Sequence, residues 1–230
     1  MENINNNNNI PDNSNQKIKN NKTTAHKILK FLKWFFAILV ALYVIVLVLR
    51  MIQLSNIDKT NEQVEKIHLT KITIDDVMGT NLPSDPGEAG NKTVEGIDAN
   101  LNGIRDDVEL AIFKEYPDSA KTRAALLQYA SVGQMILTQP FVNTVIATEV
   151  IREHGRANVC VADTLAPRTT PESTRDWSDV EKVDAYEKFV DDAQFNTYTR
   201  INVREKFYEK VRSFSSMENS CDFDYTKLPN

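Results

Sequence analysis

GIDANLNGIRDDVE, residues Gly96 to Glu109, sets Asp98, Asn100 and Asn102 at alternate positions, then Gly103, then Asp106 and, six residues past the glycine, Glu109. A hard cation such as calcium takes six to eight oxygens at about 2.3–2.6 Å, and a chain curling around it presents side chains at every second position. In that geometry Asp98, Asn100 and Asn102 are side-chain ligands, and Gly103 makes the sharp turn that a Cβ would obstruct. The Ile104 carbonyl then points inward, Asp106 reaches the ion directly or through water, and Glu109 closes the shell with two oxygens. Arg105 and Asp107 should point away, with Asp107 facing solvent. The metal-free alternative is a polar turn, in which Asp98, Asn100 and Asn102 form Asx-turns and Asp106 and Asp107 favour the positive end of the following helix. Four carboxylates in one loop, offset locally only by Arg105, weigh toward the ion.

The segment resembles the calcium loops of EF-hands and, more loosely, the acidic repeats of thrombospondin type 3 modules. The longer stretch LPSDPGEAGNKTVEGIDANLNGIRDDVE, Leu82 to Glu109, is similar to uncharacterised bacterial envelope proteins with a D-x-N-x-N-G-I-R-D-D-V-E element. The resemblance implies Ca²⁺ and carries no catalytic residues with it. It departs from a full EF-hand in two ways. The place of the entering helix is taken by breakers (Pro83, Pro86, Gly87, Gly90), and the position that normally pairs with a second loop is Arg105, with no second loop in the chain. A structural ion site, without a switch-like opening, is expected.

N-terminal to the loop, IHLTKITI reads as a short strand or extended arm and IDDVMG as one helical turn, within a stalk over 55–82. Before it, Trp34 to Leu49 are sixteen consecutive apolar residues, extended by Phe31, Leu32, Met51 and Ile52 past two single charges. About 20 such residues cover a bilayer core, with Lys33 and Arg50 reaching outward along their stems. Large residues follow where a signal peptidase needs small ones, so 28–54 reads as an uncleaved signal anchor. Residues 1–27, with the run Asn5 to Asn9, read as a disordered tail.

Six lysines (17, 19, 22, 27, 30 and 33) precede the span against Glu2 and Asp12 alone, which places the N-terminus in the cytoplasm and the rest outside. Removing those charges and Arg50 from the total of −5 leaves about −10 on the outer part. Such a balance is poor for nucleic acid and better for divalent cations. Cys160 and Cys221 both fall in this part and are expected to form a disulfide. No zinc-like spacing occurs, and the outer histidines are only His68 and His154.

C-terminal to the loop the pattern is helical. Helices are expected over Arg105–Tyr116, Ser119–Thr138, Pro140 to Gly155, a capping box at Ser178-x-x-Glu181 to Ala193, and Tyr198–Phe214, with a loop over 163–177. Trp177 and the last aromatic residues should be core, and His68 should pack or face water alone. The fold class is therefore mainly α: one transmembrane helix, then a small irregular helical domain over 83–230 with one EF-hand-like loop. The reading is an envelope protein of the inner membrane, its outer domain periplasmic or extracellular, binding calcium and holding an envelope protein or polymer. The alternatives are an anchored hydrolase, with His154 and Cys160 as its only visible base and thiol, or a subunit of an envelope assembly.

Overall fold

The computed structural model describes residues 13–170, 173–215 and 220–229, with side chains from His26 onward. The chain divides into two units, residues 1–58 and 59–230. The first is most of helix α1 (Asn13–Leu69), whose residues from Ile28 to Ile57 leave their large apolar side chains exposed. It is long and apolar enough to cross a membrane. The Asn5–Asn9 run lies outside the described residues. From Asn13 the backbone is already helical, so residues 13–27 extend the helix instead of forming the expected separate tail.

In the second unit α1 runs on to Leu69, and the expected strand does not form; there is no strand among the described residues. Ile67, Ile72 and Val77 are buried, so the presumed stalk belongs to the core. Gln63 bonds Gln139 at 2.9 Å and Asn143 bonds Thr60 at 2.9 Å, fastening the last turns of α1. The expected single turn is α2 (Ile74–Met78), started by a capping box between Thr73 and Asp76. Then come α3 (Asp106–Glu115), α4 (Ala120–Thr138), α5 (Thr144–Leu165), α6 (Trp177–Gln194) and α7 (Tyr198–Tyr208).

Helix α4 is the central mast. From Ala120 to Leu137 only Lys121 escapes burial, and α2, α3, α5, α6 and α7 all pack on it. Its alanines (Ala124, Ala125, Ala130) let neighbours approach closely. Its buried polar residues satisfy themselves by tying down irregular chain, as buried polar groups must. Arg123 donates to the carbonyls of Val77, Tyr116 and Pro117. Gln128 donates to Ser220 O and accepts from Asp222 N and Tyr225 Oη. Gln134 donates to Glu95 O at 2.7 Å.

Several expectations for the later helices need correction. Gly155 does not end α5; it lies inside the helix, because packing of Ile151, Ala157, Cys160 and Val161 outweighs a glycine cost of about 1 kcal/mol. Helix α6 starts one residue before the proposed cap Ser178: Asp176 is the N-cap, and Glu181 accepts from the Trp177 indole at 2.8 Å instead of capping. Trp177 itself is 75% exposed, not core. The last helix stops at Tyr208, after which Arg212 N bonds Thr148 Oγ1 along α5. Of its aromatic residues Phe207 is buried, while Tyr208 and Phe214 stay exposed.

Cys160 and Cys221 are disulfide-bonded across a separation of 61 residues. The bond fixes a C-terminal segment already held by Gln128 and by Arg156, which donates to Ser220 O and Asp222. Closing a loop of this length stabilises by about 4 kcal/mol on the chain-entropy model. Reduction should therefore lower the urea midpoint of the second unit by a corresponding amount; an unchanged midpoint would show that the bond does not constrain the unfolded chain.

Candidate functional site

The loop lies between a 3₁₀ turn (Gly87–Asn91) and α3. Asp98 accepts from Asn102 N at 3.1 Å on one oxygen and Gly103 N at 2.9 Å on the other. Asn102 Oδ1 accepts from Ile104 N at 2.9 Å, and Asp106 Oδ1 from Ala99 N at 2.9 Å. Gly103 has φ +82°, the turn expected of it, and Leu101 also takes a positive φ, at 60°. Ile104 is fully buried, and its N–H is the one that Asn102 accepts from. Glu109 is 1% exposed, and its carboxylate is met by the amides of Asn102 and Asn100, each at 3.1 Å. Burial pushes the Glu109 acid up to about 7, with Asp76 and Asp106 adding to the effect against the two amide bonds. Burial likewise raises Asp98.

Two guanidinium groups, both 0% exposed, pin this loop and the chain leading into it to the bundle. Arg200 donates to Gly90 O, Thr93 O, Val94 O, Asn91 Oδ1 and Asn196 Oδ1. Arg105 turns away from the loop interior but into the domain, bonding the carbonyls of Ala193 and Gln194 at the end of α6. It also pairs with Asp107, so Asp107 is not the free solvent-facing residue expected. Gly96, at φ +73°, is required here because a Cβ on it would lie 2.2 Å from Arg105 Cδ. Sequence periodicity gave no signal for either arginine. The glycine preceding an acidic loop was the one local hint of a close approach.

The donor set suits calcium in kind: Asp98, Asp106 and Glu109 are carboxylates, Asn100 and Asn102 amides, Ile104 a carbonyl, all hard oxygens. Asn100 Oδ1 is buried without a hydrogen-bond partner among the described residues, while its Nδ2 lies between Asn81 O and Glu109 Oε2, 3.1 Å from each. A half-turn of the amide would exchange the two atoms. Among the described residues no group of three or more His, Cys, Asp or Glu gathers as a metal cluster, and the loop draws half its expected ligands from neutral groups. Comparison with family models, with curated proteins and with solved structures finds no match to this chain.

Other polar groups fall elsewhere. His68 is not alone: its ring nitrogens face Glu153 at 2.8 Å and Glu149 at 3.2 Å. Glu153 also meets Arg156 and Lys71, and these charged contacts hold its carboxyl below the ordinary range despite burial. His154 packs on the Tyr129 ring, centroids 4.8 Å apart, and burial pushes its imidazolium down to about 4. Cys160, tied in the disulfide, offers no thiolate beside it. A cleft of about 500 Å³ between α4, α6 and α7 is lined by Asp184, Glu187, Asp191, Tyr129, Phe195 and Arg204. Burial, then the neighbouring Asp184 and Asp191, push Glu187 up to about 7.

Glu187 gives a pH test of the cleft. In the unfolded chain it ionises near 4.5 and in the fold near 7. Its destabilising contribution is therefore absent below the first value, grows between the two and is complete above the second. Glu187→Gln should raise Tm relative to the parent at about pH 8, by about 2–4 °C for each kcal/mol relieved, and leave it unchanged at about pH 4. Equal melting at both pH values would show that Glu187 ionises in the fold as it does in the unfolded chain.

Proposed function

We propose that this is a single-span membrane protein of a cell envelope, N-terminus cytoplasmic, whose outer domain binds one calcium ion in the loop 98–109 and serves a structural or partner-holding role. The observation that carries the reading is Glu109: a carboxylate buried at 1% exposure, met among the described residues by the side-chain amides of Asn100 and Asn102, in a loop that also holds Asp98 and Asp106. A buried charge of this kind is costly unless paired. A cation between Glu109 and the oxygens of Asn100 and Asn102 would supply the pairing, and the unpartnered Asn100 Oδ1 is a ready ligand. The lysines before the span support the orientation through the positive-inside bias.

The role of the ion is to neutralise the loop, not to drive a swing of two helices, because the segment before the loop is a 3₁₀ turn instead of an entering helix. An outer-compartment site with two Asn ligands is expected to bind with a dissociation constant on the order of 10⁻⁴ to 10⁻³ M. At a hundredfold excess, mass action stabilises the domain by about 2.7 kcal/mol. Thermal melts in calcium and in chelator should differ accordingly. Glu109→Gln keeps the shape, removes the buried charge and should erase the calcium shift while leaving the domain folded; Glu115→Gln, exposed on α3, should retain it. Equal melting of the parent in calcium and in chelator, with no heat of calcium binding by calorimetry, would return the loop to a metal-free polar turn.

A further inference from the structure

No Asp or Glu occurs from Asn13 to Ile57, so the charges flanking the start of the span have no carboxylate of their own segment to pair with. Lys27, Lys30 and Lys33 lie on one unbroken helix, all exposed, at steps of three residues ending beside Trp34. At 1.5 Å per residue, Lys30 stands about 4.5 Å and Lys27 about 9 Å beyond the first residue of the apolar run's flank, Lys33. Steps of three turn about 60° short of a full circle, so the three ammonium stems form one oblique ridge about 120° wide. That rise matches the polar layer of a bilayer, about 5–8 Å deep on each side, and the Debye length of about 8 Å.

A second feature keeps the ridge at that depth. Ile28, Leu29, Phe31 and Leu32 alternate with the lysines, and all four are half or more exposed in the isolated unit. Apolar side chains so placed favour the headgroup and acyl boundary over water. The lysines between them then stand among headgroup phosphates. We propose that Lys27, Lys30 and Lys33 form a binding ridge for anionic phospholipid headgroups, in addition to any part they play in setting orientation. The proposal rests on the membrane-span part of the reading above and is independent of calcium. Zwitterionic headgroups offer the same phosphate with its charge already balanced by choline, so the ridge distinguishes lipids by net charge. Each lysine near such a surface favours binding by about fivefold.

Trp34 supplies the probe. The full chain carrying Trp177→Phe, which leaves Trp34 as the single indole, is placed in nanodiscs of brominated phosphatidylcholine, brominated phosphatidylglycerol or mixtures of one brominated lipid with the other unlabelled. Quenching of Trp34 gives the relative association of the two lipids beside it. The expected preference is at least fivefold for phosphatidylglycerol in low salt, falling to within twofold of unity in Lys27→Gln/Lys30→Gln/Lys33→Gln and in high salt. Both nanodisc faces are equivalent, so a change of orientation in the variant does not alter the measurement. Inorganic phosphate should act no more strongly than sodium chloride of matched ionic strength. A specific loss in phosphate would replace the lipid ridge with a free-phosphate site. The same preference in parent and triple variant would overturn the ridge while leaving the span intact, and no quenching by either lipid would overturn the span and the ridge with it.

Discussion

Two guanidinium groups buried out of water fix the acidic loop and the chain leading into it, and the segments from Gly90 to Val94 and from Ala193 to Asn196 are arranged to satisfy them. Arg200 presents a planar fork of donors, and the chain from Gly90 to Val94 wraps around it so that three carbonyls and the Asn91 side-chain oxygen accept, with the Asn196 side-chain oxygen as a fifth acceptor. A lysine, with three donors on a flexible stem, cannot fill that set of acceptors. Arg105 does the same for the end of α6 from within the loop itself, and its path past Gly96 leaves no room for a Cβ there. The acidic loop is therefore held through Arg105, which it contributes, and through Arg200, which grips the chain leading into it.

The same logic of buried polar groups organises the rest of the unit. Helix α4 has almost no free face, and its Arg123 binds α2 and the turn after α3, its Gln128 the C-terminal segment and its Gln134 the approach to the loop. Gln134 accepts from Gln194 at 2.7 Å, and Gln194 O accepts from Arg105, so the mast and the loop share one hydrogen-bonded path. On the other side, Glu153 gathers His68, Lys71 and Arg156, and Asp222 joins them beside the disulfide. Apolar burial supplies the driving force, and these networks specify which segments lie together.

How far the sequence could show this depends on the kind of signal. The apolar run of α1 and the i+3/i+4 stripes of α3 and α4 are local patterns; the stripes locate α3 and α4 within a residue or two, whereas the apolar run marks only the middle of α1, which extends well beyond it at each end. Asp98, Asn102 and Gly103 adopt the turn their spacing demands, because the bonds that hold it are made within five residues. Arg105 was legible only as a charge pointing away; that it points into the bundle depends on carbonyls 88 and 89 residues distant. His68 lies in an apolar alternation, and its carboxylate partners on α5 are equally remote. Gly155 and Ser178 carry generic punctuation that tertiary packing overrode. Trp177 shows the reverse case, an aromatic residue whose indole finds a polar partner one turn away and stays in water.

The central claim is that loop and helical mast form one cooperative unit, joined through Arg105, Arg200 and the Gln134–Gln194 pair. Amide hydrogen exchange in the full chain with calcium in excess tests it directly. Gly103 N–H, bonded to Asp98, and Asp106 N–H, bonded to Ile97 O at 2.9 Å, should exchange only with global unfolding, at the same free energy as Leu127 in the middle of α4. Exchange of the two loop amides orders of magnitude faster than that of Leu127 would mean that the loop opens on its own and that the buried arginines do not couple it to the core.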